Sequence, residues 1–268
     1  MLKKFVPKFL RNAIHYFFAW YGAVKYKHPS DELFVIGITG TSGKSSTVYW
    51  LRQVLESAGY RVGSLSTIDF YIAGENRLND QKMTMLGRTQ IQKYLREMVR
   101  RKCDIAIVEM TSEGAVQHRN KFINVDTMVL TNLYPEHIES HGSFEKYKDA
   151  KRSMFAYVAQ SKRKSEKNVI LSQQAKDHLA NANRTGDPST SLGSAQVDEY
   201  IPKTAIINGN NKHADEFLQF PFEKKIAFSS VGEEIWSTIH DEMFEGEQMH
   251  IGKDGLSFQV ADDGIQGS

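Results

Sequence analysis

Residues 39–46 read Thr-Gly-Thr-Ser-Gly-Lys-Ser-Ser, and the chemistry these types share is the holding of phosphate. Gly40 and Gly43 let the backbone bend until successive N–H groups point into one concavity, where they can cradle phosphate oxygens at a helix start. Lys44 adds a mobile positive charge, and Ser45 a hydroxyl suited to Mg²⁺. The common pattern G-x-x-x-x-G-K-[ST] would put its first glycine at position 38, which is Ile38 here. Three further sites carry reactive side chains. Glu109 closes the apolar run 104–110 and reads either as a solvated strand end or as a Mg²⁺ ligand, direct or through water. The loop 131–143 holds Glu136, His137, Glu139 and His141; it is a polar turn or a place where one histidine faces the phosphates. Lys151 falls in the middle of the apolar face formed by positions 144, 147, 154, 155 and 158. Desolvation lowers a lysine's pKa and a neutral amine is nucleophilic, including toward CO₂. From spacing alone, a snorkelling stem or a buried ion pair is the plainer reading of Lys151.

The elements that must position these groups follow from local pattern. Residues 33–38 are β-branched and aromatic, long enough for a buried parallel strand and too short for a helix. After the loop, Val48, Leu51, Val54, Leu55 and Ala58 recur at helical spacing, with Gly59 as a C-cap. Residues 61–66, 104–110, 125–130, 168–171, 204–208 and 224–228 read as further strands, and 90–102 and 144–158 as helices. Residues 69–82 read as a polar excursion, 183–196 as a loop or small lid, and 248–260 as a hairpin around a Lys-Asp-Gly turn. This alternation predicts an α/β fold with a mostly parallel sheet flanked by helices and a small antiparallel hairpin near residue 260. Ligands of such sheets gather at the carboxyl ends of the strands, where the loop, Glu109 and residues 131–143 all fall.

The 268 residues are 40% apolar, enough for a proper core, and carry a net charge of +2, so no nucleic-acid affinity is implied. The single cysteine, Cys103, excludes an internal disulfide and suits a reducing, cytoplasmic compartment. Residues 1–28 concentrate six basic residues with no acid, against 28 basic and 32 acidic residues in the remainder. Their apolar centre, 13–24, is too short to span a bilayer, and no small-residue cleavage site follows. Two readings stand: a helix at an anionic membrane surface, peripheral at the inner face, or a helix packed on the domain or a partner protein. The expected division is a basic aromatic helix over 1–30 and a nucleotide-binding domain over 31–268.

The phosphate loop TGTSGKSS, the segment EMTSEGAVQHR at 109–119 and TNLYPEHIESHGSFEKYKDAK at 131–151 together resemble the central ATP-binding domain of the Mur ligases. The likeness is strongest to the UDP-N-acetylmuramoyl-tripeptide synthetase branch, and it covers roughly 33–260. It implies an ATP-dependent acid–amino-acid ligase: a carboxylate of a muramyl-peptide-like cell-wall precursor becomes an acyl phosphate, and an amino-acid amine then displaces phosphate. The resemblance implies that Gly40, Thr41, Ser42, Gly43, Lys44, Ser45, Ser46 and Asn132 hold ATP, and that Lys44, Glu109, His137 and Lys151 are catalytic. It implies two Mg²⁺ sites served by Ser45, Glu109, His137 and Lys151, with Lys151 carrying a carbamate. It places Thr84, Thr111, Ser112, His118, Arg119 and His141 against the sugar-peptide substrate.

This chain departs from the family in having Glu136-His137 for an Asp-His pair and Thr84-Met85-Leu86 for Thr-Thr-Pro. The family's UDP-binding first domain and C-terminal ligase domain have no counterpart in the residues given, so a fragment or a short form is expected. Two other functions fit the motifs: a nucleotide-binding, membrane-associated module without ligase activity, and a polyglutamate or folylpolyglutamate-type ligase.

Overall fold

The computed structural model describes residues 7–81, 83–136, 138–165, 169, 200–228, 250–252 and 255–257. A helix, α1 (Lys8–Lys25), and a single 3₁₀ turn (Pro29–Glu32) precede β1 (Phe34–Thr39) and α2 (Lys44–Ser57). Then come β2 (Val62–Leu65), β3 (Asp69–Ile72), β4 (Glu75–Leu78), α3 (Arg88–Arg100), β5 (Ile105–Glu109), α4 (Ser112–Val116) and β6 (Thr127–Leu130). The chain continues through α5 (Ile138–His141), α6 (Phe144–Ala159), β7 (Lys164–Ser165), β8 (Tyr200–Ile201), β9 (Thr204–Asn208), α7 (Ala214–Leu218) and β10 (Lys224–Phe228). The last described elements are β11 (His250–Gly252) and β12 (Gly255–Ser257).

Eight strands form one sheet in the order β10-β9-β6-β1-β5-β2-β3-β4, parallel from β10 to β2 and antiparallel across β3 and β4. The expected α/β architecture is therefore present, and β11 pairs with β12 as the small antiparallel hairpin read around Lys-Asp-Gly. A second short antiparallel pair joins β7 and β8. The strand expected at 168–171, apart from buried Val169, and the loop at 183–196 lie outside the described residues.

Alternation along the central strands feeds two cores. Ile36 and Ile38 of β1, with Ile105, Ile107 and Val129, pack under Val48 of α2. On the other face, Val35, Ala106, Val108, Met128 and Leu130 join the core with Leu95 and Met98 of α3 and Met154 and Phe155 of α6. A strand buried on both faces reads as a continuous apolar run, which is why β1 was visible in sequence. Helix α2 stops as its glycine suggests: Gly59 takes φ +86°, and the N–H groups of Gly59 and Tyr60 donate to the carbonyls of Glu56 and Leu55. That pair of hydrogen bonds satisfies two of the last carbonyls of the helix.

One reading needs correction. Residues 69–82 begin with an edge hairpin, β3 and β4, rather than an irregular excursion. Its turn is Ala73-Gly74, with φ +48° and +94°. Positive φ at both central positions is the hairpin geometry normally announced by Asn-Gly or Asp-Gly, and alanine concealed it.

Beneath the amino ends of β1, β6 and β9 lies a charged cluster that fixes their register. Asp126 is fully buried; its carboxylate accepts from the Val35 N–H at 2.8 Å, from Lys203 Nζ at 3.2 Å and from Lys164 Nζ. Lys164 Nζ also donates to the Leu33 carbonyl at 2.8 Å, and Lys203 Nζ to that of Val125 at 2.6 Å. Burial pulls the Lys164 ammonium down to about 8 against the opposing pull of Asp126. Removing the shared carboxylate leaves two buried ammonium groups without a counter-charge. Asp126→Asn is expected to lower stability by about 3 kcal/mol in urea unfolding; an unchanged midpoint would show that the lysines are satisfied without it.

Candidate functional site

The sheet reverses its winding at β1. The connection through α2 runs toward β2, that through α5 and α6 runs toward β9, and a crevice opens between the carboxyl ends of β1 and β6. Residues 40–43 cross this crevice. Gly43 starts α2 with φ +75°, a left-handed conformation that favours glycine. Gly40 is required by contact: a Cβ there would stand 1.9 Å from Thr131 Oγ1. Asn132, just after β6, clamps the loop; its Oδ1 accepts from the N–H groups of Thr41 at 3.0 Å and Ser42 at 2.9 Å. The loop carrying Asn132 is in turn held from β9, where Asn208 Nδ2 donates to the Thr131 carbonyl, and by Asn211, which donates to that of Leu133.

Two cations lie against this loop. Lys44 Nζ folds back onto the carbonyls of Gly40 at 3.0 Å and Thr41 at 2.9 Å. Burial lowers its pKa, with Glu109 and Glu136 pulling the other way. Lys151 reaches the loop from below. It is 1% exposed, and its Nζ donates to the Gly40 carbonyl at 2.8 Å and to Thr39 Oγ1 at 3.3 Å. It therefore does not snorkel, and among the described residues it forms no ion pair. Burial, and then the nearby Lys44 charge, lower the Lys151 ammonium to about 7, with Glu136 opposing. One turn earlier on α6, Tyr147 covers it: the ring centre is 4.8 Å from Nζ, and the hydroxyl donates to Thr41 Oγ1 at 3.0 Å.

On the other side of the loop, Glu109 at the end of β5 is 2% exposed. Its Oε2 accepts from Ser45 Oγ at 3.0 Å, from the Thr67 N–H at 2.8 Å and from Thr67 Oγ1 at 3.0 Å. A carboxylate and a hydroxyl are hard oxygen donors, and so sparse a protein set fits Mg²⁺ held mainly by phosphate and water. Among the described residues, no group of three or more His, Cys, Asp or Glu side chains could cage a metal.

A model of the Mur ligase middle domain matches residues 38–265. The chain belongs to the Mur ligase family. Over 136 residues it is 38% identical to UDP-N-acetylmuramoyl-L-alanyl-D-glutamate–2,6-diaminopimelate ligase of Chlamydia pneumoniae, covering 51% of this chain and 28% of that one. It is 37% identical over 135 residues to UDP-N-acetylmuramyl-tripeptide synthetase of Treponema pallidum, covering 50% and 25%. The chain thus matches about a quarter of the length of these relatives. Among solved structures, one UDP-N-acetylmuramoyl-L-alanyl-D-glutamate–2,6-diaminopimelate ligase superposes with a TM-score of 0.52 at 21% identity, over 77% of this chain and 33% of that one. That likeness concerns the fold.

In this Mur ligase middle domain, Gly40, Thr41, Ser42, Gly43, Lys44, Ser45, Glu109, Asn132 and Lys151 converge on one crevice, and Ser46 follows in the first turn of α2. A second group collects beside it. Thr111 caps α4, accepting from the Gly114 N–H at 3.0 Å, and Ser112 Oγ meets His141 Nε2 at 3.0 Å. Arg119 bonds the Met85 carbonyl and the Gln117 side chain, next to half-buried Thr84. His118 points elsewhere, its ring edge-on to Tyr16 of α1 with centres 6.0 Å apart. His137 lies outside the described residues.

Two residues at the site escaped the sequence reading: Thr67 and Tyr147. Tyr147 did carry a signal, since it occupies the same face of α6 as Lys151, one turn before it. Thr67 follows a strand end on the loop side of the sheet but has no distinguishing neighbour.

Proposed function

We propose that this chain is the nucleotide-handling part of an ATP-dependent acid–amino-acid ligase of the tripeptide synthetase branch. The observation that carries the reading is the convergence on one phosphate loop of Lys44, the Ser45–Glu109 pair and a buried Lys151. The N–H groups of residues 43–45, at the start of α2, and the Lys44 ammonium would meet the transferring phosphoryl oxygens, and positive charge fixed there favours the transition state. Lys44 needs only to exchange its two loop carbonyls for β- and γ-phosphate oxygens. A substrate carboxylate attacks the γ-phosphorus, the bond to the β-bridging oxygen breaks and ADP leaves. An amine then attacks the acyl carbon, phosphate departs and one proton is released.

Ser45 and Glu109 would hold a first Mg²⁺, with His137 as a metal ligand, and a carbamate on Lys151 would serve a second; the ions would neutralise phosphoryl charge. Lys151 is suited to carbamate formation because burial leaves a large share of its amine unprotonated near neutral pH. Thr84, Thr111, Ser112, Arg119 and His141 would form the substrate side, without His118, whose ring turns to Tyr16 of α1. The names of the relatives support a muramyl-peptide carboxylate and an amino acid as the reaction partners.

The test is ADP release by this chain. UDP-muramyl dipeptide should stimulate it, and a diamino acid should raise it further. Stimulation by a folate instead would move the chain to the polyglutamate type. Nucleotide binding with no carboxylate response would leave a nucleotide-binding module without ligase activity.

A further inference from the structure

Helix α1 packs on the domain with its small residues and turns its large ones outward. Ala19 and Ala23 are buried, and Gly22 sits so close to α3 that a Cβ would lie 2.8 Å from the Thr89 Cα. The seating is specific: Arg96 of α3 donates to the carbonyls of Tyr26 and Lys27 at 2.8 Å each and pairs with Glu32. On the opposite side Leu10, Ile14, Phe17, Trp20, Tyr21 and Val24 are each 42–52% exposed and recur at three- and four-residue spacing. Phe17 lies at the centre of the face, its ring centre 5.7 Å from that of Trp20 and 6.3 Å from that of Tyr21. Scattered surface apolar residues need no explanation, but a continuous aromatic face on one helix does.

Charge decides the occupant. Residues 1–28 carry six basic residues and no acid. Lys25 flanks the aromatic face, its ammonium 5.8 Å from the Tyr21 ring centre. Pairing α1 with α1 of a second copy would set two acid-free basic helices side by side. No helix of the described residues is long and apolar enough to cross a membrane. Aromatic and aliphatic residues on one side with lysine and arginine at the margin suit a helix lying in the plane of a headgroup boundary.

We propose that α1 docks the chain on an anionic lipid surface, its outward face in the headgroup layer and its small-residue face on α3. The proposal is independent of the nucleotide chemistry. The experiment uses the full chain with Trp50→Phe and Trp236→Phe, so that Trp20 is the only reporter, and phosphatidylcholine vesicles with and without phosphatidylglycerol. The chain should float with the anionic vesicles, with Trp20 emission shifted to the blue and quenched by brominated lipid. Phe17→Ser with Tyr21→Ser should abolish flotation at unchanged circular dichroism. Arg11→Gln and Lys25→Gln should each weaken it about fivefold. A folded chain that floats with neither vesicle would overturn the proposal. So would equal partition onto neutral lipid, or a solution dimer that the serine variant dissociates.

Discussion

Lys151→Met is expected to lower carboxylate-dependent ATP turnover at least a thousandfold, about 4 kcal/mol of barrier, while the chain still folds. Methionine fills a similar volume on the buried face of α6, between Tyr147 and Phe155, but offers no amine to the Gly40 carbonyl or to CO₂. The same substitution has a signature in stability that does not depend on activity. Lys151 holds its proton with a pKa near 7 when folded, against an ordinary 10.5. Between those values the unfolded chain binds a proton that the fold does not, so stability rises with pH across that window. The slope from one such group approaches 1.4 kcal/mol per pH unit, and it vanishes below about pH 7. Urea unfolding at several pH values from neutral to mildly alkaline should show this slope in the parent chain and a smaller one in Lys151→Met. Other buried lysines, Lys164 among them, titrate in both proteins and cancel in the comparison. Lys151→Ala should recover part of its turnover with small carboxylates if a carbamate is the working form. Full turnover in Lys151→Met would return the residue to a structural role.

How far the sequence reached is clear from particular residues. Strand, loop and helix over 34–57 were legible because each is local: an apolar run, two glycines and a 3.6-residue repeat with its terminating glycine. Lys151 was legible as a misfit, a lysine on an apolar face, though spacing favoured a snorkelling stem or an ion pair; it is buried, and among the described residues it forms no ion pair. What the sequence hid is what lies across the chain. Asn132 grips Thr41 from 91 positions away, and Thr67 reaches Glu109 from 42. No local pattern encodes such pairings; they follow from which strands become neighbours. Helix α1 was hidden in another way. Its periodicity marks two faces, and only packing shows that the small one is inside. His118, grouped with the substrate residues by its place in a motif, takes φ +58° and points toward α1.

Lys44→Ala should weaken Mg-ATP binding about a hundredfold and reduce turnover still further. The wild-type ammonium is already partly desolvated and held over the loop by two carbonyls, so meeting phosphate costs it little reorganisation. Alanine removes the cation and leaves the backbone cradle, which the Asn132 clamp and Gly43 fix without help from position 44. The fold should therefore survive, and the loss should fall on the nucleotide. Calorimetry of Mg-ATP on the 268-residue chain, with Lys44→Ala beside it, measures the claim that residues 40–46 form a working phosphate site. Saturable binding by the parent chain, lost in Lys44→Ala, is the expected result. Equal affinity in the two proteins, or no binding by either at concentrations where both are folded, would contradict it.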